Sequence, residues 1–291
     1  MPDQTRISRP AGLEAFLAII RIPNCIMIGL AVLIGEIIGL GTLPSLGRAI
    51  LGFATAFLLL AGTMVLNDIY DVEIDRVNSP DRPLPSGKIK VSQAYAIVIV
   101  LSLLGVLSAA LLGTVAFLVA LLALGLMIYY NARGKKAGLV GNAVVSFNIA
   151  LPFVFGGLAV NNLRPLLFVF SILAYFANMA REIAKGISDV RGDRAEGVKT
   201  LAVLKGTRFA AWMSSGFFVA AVIASFLTPL WDRVSILYYP GVLVADLGFL
   251  YSSYRLLTDQ GPETVKAVKT QVLVWMLFGL VGFLMGGTLF L

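Results

Sequence analysis

The chain has 291 residues, 58% of them hydrophobic and only 13% charged, with a net charge of +7. A soluble domain carries about 25% charged residues, so this composition excludes a water-covered globule and calls for segments that lie in a bilayer. The absence of histidine excludes His bases and His-ligated metal or haem, and a single cysteine excludes an internal disulfide or a multi-cysteine metal site, so any metal must be held by oxygen, as Mg²⁺, Mn²⁺ and Ca²⁺ are.

Met1 to Pro10 is polar, and the apolar run that follows, Leu13 to Leu40, is too long for the apolar stretch of a cleavable signal. It is the first predicted span, 13–40. Cys25 within it reads as a small packing residue. Arg21 lies about two turns into this span and there requires an anionic partner, with Asn24 close by; Glu14 marks the helix start and Glu36 lies near the other end. The second span, 47–66, runs directly into the acid-rich stretch Asn67 to Arg76. Ser79 to Gly87 holds three prolines and cannot continue a helix. It reads as a stiff loop, either a cap over a cavity or a rigid connector.

Spans three and four are predicted at 92–111 and 114–130, divided near Gly113, and the basic group Arg133, Lys135 and Lys136 follows them. Spans five and six, 139–160 and 165–186, are separated by Asn161-Asn162-Leu163-Arg164-Pro165, and a second charged stretch from Arg181 to Lys199 ends the pair. Spans seven to nine are predicted at 208–228, 235–256, with Asp246 in mid-span, and 267–290.

Nine spans put the termini on opposite sides. With the N-terminus inside, 20 of the 23 basic residues fall in inner segments, and only Arg48, Arg164 and Arg233 fall outside. The positive-inside rule then predicts a multi-pass protein of the cell membrane with a cytoplasmic N-terminus and an external C-terminus. Topology and anionic lipid explain the basic charge, so no nucleic-acid partner is expected.

Nine of the sixteen acids fall in two of these inner segments: Asp68, Asp71, Glu73, Asp75 and Asp81, then Glu182, Asp189, Asp193 and Glu196. At about 100° per residue, Asp68, Asp71 and Asp75 share a sector of roughly 60°, with Asn67 at its edge and Glu73 turned away. Glu182, Lys185, Asp189 and Asp193 share another of roughly 80°. Like charges on one face repel, and a divalent cation removes that repulsion. Mg²⁺ takes one or two carboxylates and fills its remaining positions with water and phosphate oxygens. The pattern therefore suggests two acidic walls across a metal-bridged phosphate ligand; the plainer reading is a pair of charged loops solvating one surface. The walls share a motif, D-V-x-x-D-R, at Asp71 to Arg76 and again at Asp189 to Arg194, 118 residues apart. This points to an internal repeat, with halves near 13–130 and 139–290. A diphosphate also needs cations, and Arg21, Arg82, Lys88, Lys135, Lys185 and Lys199, with the Asn24 amide, are the candidates.

Asn67-Asp68-Ile69-Tyr70-Asp71-Val72-Glu73-Ile74-Asp75-Arg76, followed by Arg82-Pro83-Leu84-Pro85-Ser86-Gly87, resembles the first signature of the UbiA superfamily of intramembrane prenyltransferases. Asp189-Val190-Arg191-Gly192-Asp193 with Lys199-Thr200-Leu201 resembles the second. The resemblance covers essentially the whole chain. It implies an all-α integral membrane fold of nine transmembrane helices around a central cavity open to lipid. It also implies Mg²⁺, two ions, held through Asn67, Asp71, Asp75, Asp189 and Asp193 with Asp68 close by, and a polyprenyl diphosphate donor. Arg21-Ile22-Pro23-Asn24-Cys25, the run Ile74 to Pro83, and Arg181-Glu182-Ile183-Ala184-Lys185 most resemble the archaeal digeranylgeranylglyceryl phosphate synthases of that superfamily. Gly186 departs from the pattern, since many members carry Asp there.

The resemblance implies transfer of a geranylgeranyl group from geranylgeranyl diphosphate to the hydroxyl of geranylgeranylglyceryl phosphate, forming an ether in membrane lipid synthesis. Asp71, Asp75, Asp189 and Asp193 are the expected catalytic residues. The alternatives are a UbiA-type enzyme with an aromatic or chlorin acceptor and, from another class, a divalent-cation or phosphate transporter. A transporter should carry polar pairs near mid-membrane, whereas these acids gather at one boundary.

Overall fold

Backbone in hydrocarbon must satisfy its own hydrogen bonds, and each long apolar run of this sequence does so as an α-helix. The computed structural model describes residues 11–195 and 197–288, without the side chains at 11, 74, 77, 78, 135 and 288. Arg6, Arg9, Glu196 and the side chain of Lys135 thus lie outside the described residues. In chain order the helices are α1 (Ala11–Ile20), α2 (Ile22–Leu40), α3 (Leu46–Tyr70), α4 (Val72–Asn78), α5 (Val91–Leu112), α6 (Thr114–Ala132), α7 (Leu139–Ala159), α8 (Pro165–Ser188), α9 (Val190–Ala195), α10 (Leu201–Lys205), α11 (Thr207–Leu227), α12 (Tyr238–Thr258) and α13 (Pro262–Thr288).

Among the described residues, eight helices are long and apolar enough to cross a membrane: α2, α3, α5, α6, α7, α8, α11 and α13. The ninth predicted span is α12, whose 21 residues match the others in length; Asp246 and Arg255 make it more polar.

The first predicted span, 13–40, is not one helix. It breaks at Arg21, which adopts the left-handed conformation (φ 53°, ψ 58°) between α1 and α2. The cause is Pro23, which has no N–H and whose ring would meet the Ile19 carbonyl in a continuous helix. A non-glycine residue held there costs on the order of 1 kcal/mol, so its surroundings must hold it.

Glycines set the closest helix contacts. A Cβ at Gly35 of α2 would collide with the Phe153 carbonyl of α7, and one at Gly156 of α7 with the Val32 carbonyl. Small residues spaced this way let backbones approach where there is no water to drive association. The same device joins α12 to α13, where a Cβ at Gly241 would lie 2.7 Å from the Gly282 nitrogen. Asp259, between those two helices, accepts from the Thr264 hydroxyl and, at 2.8 Å, from the Gly261 N–H. These bonds hold its carboxyl below the ordinary range.

The partners α3·α5, α8·α11, α2·α7 and α7·α8 enclose an apolar interior. One cavity runs between α2, α7, α8, α12 and α13, and a second, smaller one lies against α3 and α6. Ile28, Leu60, Met64, Val145 and Ile149 line both. Phe170 stacks on Phe283 with ring centroids 4.0 Å apart, and Phe153 and Tyr238 pack around them. This aromatic cluster closes the larger cavity at the end away from the two acid motifs.

Two polar residues within the spans lie apart from those motifs. Asp246 accepts from the Ser225 hydroxyl at 2.6 Å and also lines the larger cavity. Glu36 is fully buried against Gly52, where any side chain would strike its carboxyl group.

Candidate active site

The first wall is built by the end of α3. That helix stops at Tyr70, and Asp71 takes φ −96°, ψ 0° before α4 begins. Hydrogen bonding nevertheless runs through the break, from the Asp71 N–H to the Asn67 carbonyl at 3.0 Å and from the Asp75 N–H to the Asp71 carbonyl at 2.8 Å. Four-residue spacing then keeps Asn67, Asp71 and Asp75 on one face. The Asn67 amide donates to Asp71 Oδ2 at 2.9 Å, which leaves its carbonyl oxygen as an acceptor. Asp71 and Asp75 are both buried.

Two cations secure this wall. Arg21 Nη2 lies 2.5 Å from Asp68 Oδ1, and Arg82 Nη1 lies 2.5 Å from Asp75 Oδ2 and 3.9 Å from Asp68. The anionic partner required for Arg21 is therefore Asp68, and the left-handed turn at Arg21 is what aims its side chain there. Arg82 is delivered by the proline-rich loop. Its N–H donates to the Ser79 carbonyl at 3.1 Å, and the Ile89 N–H donates to that of Pro83 at 3.0 Å. Leu84 and Ile89 bury themselves in one cluster with Ile19, Ala61 and Val65. The loop is thus pinned to α1 and α3. Glu73 is exposed and pairs with Arg76 at 2.8 Å, and Asp81 is exposed.

The second wall repeats the backbone. Asp189 takes φ −96°, ψ 3° between α8 and α9; its N–H donates to the Lys185 carbonyl at 3.1 Å, and the Asp193 N–H to that of Asp189 at 2.9 Å. The Ser188 hydroxyl donates to Asp189 Oδ1 at 2.8 Å. One turn or two earlier, buried Glu182 pairs with Arg181 at 3.1 Å and Lys185 at 3.7 Å. Lys269 of α13 lies within electrostatic reach of Glu182 and Asp189. Nothing in the structure explains Gly186 in place of the Asp of other members. A Cβ there would meet the Thr200 Cβ at 3.4 Å, an ordinary contact.

Tyr130 is buried near the end of α6. It stands within electrostatic reach of Asp71 from the first and of Asp193, Glu182 and Lys185 from the second. The Lys199 N–H donates to the Lys136 carbonyl at 3.3 Å, tying the loop after α6 to the one between α9 and α10. Below the walls the larger cavity opens, with Asn24, Asn178, Arg181 and Glu182 at its polar end. Lys88 and Lys199 are exposed on the connecting loops, and Lys185 is partly exposed beside Glu182.

Tyr130, Asn178 and Lys269 are additions to the residues expected from sequence. Tyr130 had a visible signal: it ends an apolar span immediately before a basic loop. Lys269 had none, because its partners lie about 80 residues away in sequence.

The donors on both walls are carboxylate and amide oxygens, which suit Mg²⁺. Among the described residues no three acids gather tightly enough to hold a metal unaided. That fits an ion shared between few carboxylates and a phosphate ligand.

Residues 28–278 match the model of the UbiA prenyltransferase family. The digeranylgeranylglyceryl phosphate synthase of Thermococcus kodakarensis is 35% identical over 271 residues, covering 93% of this chain and 97% of its own. A solved structure described as giving insight into digeranylgeranylglyceryl phosphate synthase in membranes superposes with a TM-score of 0.75 at 30% identity, covering 96% of this chain and 99% of its own. A UbiA homolog from Archaeoglobus fulgidus bound to GPP and Mg²⁺ shares the fold, with a TM-score of 0.66 at 21% identity over 92% of this chain and 99% of its own.

Proposed function

Since this chain belongs to the UbiA prenyltransferase family, we infer that it is a Mg²⁺-dependent membrane enzyme that transfers a geranylgeranyl group from geranylgeranyl diphosphate to the free hydroxyl of geranylgeranylglyceryl phosphate. The observation that carries this reading is the convergence of two D-V-x-x-D-R walls near Tyr130, at the polar end of an apolar cavity. The synthases among its relatives support the acceptor.

Asn67, Asp71 and Asp75 on one wall and Asp189 and Asp193 on the other would hold two Mg²⁺ ions. Bound Mg²⁺ supplies Lewis-acid and charge stabilisation to the departing diphosphate. Asp68 is engaged by Arg21, and we assign it to keeping the first wall in place rather than to the metal. Arg21, Arg82, Lys88, Lys135, Lys185 and Lys199, with the Asn24 amide, supply the remaining neutralisation of the diphosphate.

The allylic C–O bond breaks, and the electron pair leaves with the diphosphate. The acceptor hydroxyl forms the new C–O bond, and its proton passes to a carboxylate or to the released diphosphate. An oxygen nucleophile attacking an allylic cation needs only a weak base, in keeping with a site that has no histidine. The apolar cavity holds the tail and keeps out water that would capture the cation. The arrangement of charge favours a cytoplasmic N-terminus and active site in the cell membrane, with the C-terminus outside. The chain is read as two half-repeats, near 13–130 and 139–290. The matched breaks at Asp71 and Asp189 support this, as does the packing of α2 against α7, which open the corresponding runs.

The test is an assay with labelled geranylgeranyl diphosphate offered in parallel with geranylgeranylglyceryl phosphate, an aromatic acceptor and a chlorin acceptor. Ether product should form with the first, only with Mg²⁺ present, and be lost in Asp71→Ala and Asp189→Ala. Product with another acceptor alone, or full turnover in both variants, overturns the reading.

A further inference from the structure

We propose that Arg181 and Lys269 form the subsite for the acceptor's phosphate monoester, on the membrane side of the metal-binding carboxylates. This rests on the acceptor assigned above and adds where its second charged group is held.

The reaction has two anionic substrates. The hydroxyl must reach the carbon bearing the diphosphate, and that carbon lies on the tail side of the metal. The acceptor's own phosphate, a few bonds from the hydroxyl, therefore needs cations one layer further into the membrane. Arg181 lies eight residues before Asp189 on α8, a rise of about 12 Å toward the bilayer interior.

In that layer the two halves of the molecule differ. On the first half, Arg21 is matched by Asp68. On the second, Arg181 and Lys185 both pair with one acid, Glu182, and Lys269 of α13 is within electrostatic reach of Glu182 and of Asp189. A phosphate monoester carries about −1.5 to −2 at neutral pH, which matches the excess of cations. The Arg181 side chain is only 19% exposed. Its Nε–H is buried with no hydrogen-bond partner, although the same guanidinium pairs with Glu182 through Nη1. Arg181 and Glu182 also line the larger cavity, whose lining is otherwise mainly apolar and suits a prenyl chain. Lys185 stands between this pair and Asp189 and can serve either substrate.

The experiment uses the purified full chain in detergent with Mg²⁺ and geranylgeranyl diphosphate. The acceptor is geranylgeranylglyceryl phosphate or its dephosphorylated form. Lys269→Gln should raise the KM for the phosphorylated acceptor about tenfold or more, the loss of one charge-assisted bond. The donor KM should stay put, and the preference for the phosphorylated acceptor should shrink by the same factor. Lys269→Arg should restore most of it, and Arg181→Lys should show a weaker version of the same split. Turnover of the dephosphorylated acceptor reports folding in each variant. A rise in donor KM with acceptor KM unmoved would assign these cations to the diphosphate and overturn the proposal, as would an unchanged preference in Lys269→Gln. If the unmutated enzyme makes no product with either acceptor, the functional reading itself fails, and the proposal with it; that result is visible without any variant.

Discussion

The two acid walls share a backbone and differ in their cations. Asp71 and Asp189 break their helices at nearly the same torsions, φ −96° with ψ 0° and 3°, and each is followed by a short helix carrying the next aspartate. On the first wall the cations are delivered from outside it, by a strained turn at Arg21, which meets Asp68, and a proline-rich loop at Arg82, which meets Asp75 and more distantly Asp68. On the second they belong mainly to the wall's own helix, where Arg181 and Lys185 share one acid, Glu182, with Lys269 of α13 within electrostatic reach of it. A shared scaffold can thus carry differently charged surroundings, because the backbone device depends on hydrogen bonds alone and leaves the side chains to vary.

The comparison breaks most visibly if only one wall serves the metal. Asp71→Ala and Asp189→Ala should each lower kcat by about 10³-fold, since each removes charge stabilisation of the leaving group, while both variants keep their melting temperature. A large loss in one and near-normal turnover in the other, measured by single-turnover kinetics, would mean that the walls are not equivalent. Chelation with EDTA should abolish turnover in the parent enzyme, and added Mg²⁺ should restore it.

Stability sharpens the contrast in cations. Arg21→Ala leaves Asp68 buried without its nearest partner and should destabilise the protein by about 3 kcal/mol. Arg21→Ala combined with Asp68→Ala should recover much of that loss in a double-mutant cycle. Arg181→Gln should cost less, about 1 kcal/mol, because Glu182 keeps Lys185 and Lys269. Equal losses at the two sites, followed by thermal unfolding in detergent, would erase the difference. The smallest effect is expected at Glu73, exposed and paired only with Arg76. Glu73→Ala should change stability by less than about 0.5 kcal/mol and leave turnover as it was, which would separate the wall's two faces.

The sequence by itself determined the helical membrane class, the order of the spans and the residues of both motifs. Apolar length, charge asymmetry and four-residue spacing are local properties, and bilayer thickness and helix pitch turn them directly into structure. Even the break at Arg21 was written there as Pro23, though the long apolar run concealed it. Only the tertiary structure decided which cation meets which acid. Arg21 and Asp68 are separated by 47 positions and Arg82 returns across 7 to Asp75, pairings set by a left-handed residue and a pinned loop that no periodicity reports. Likewise Tyr130 and Lys269 enter the site from helices whose sequence is otherwise that of lipid-facing spans. Their place follows from how the bundle closes, which depends on glycine contacts between distant helices rather than on any one segment.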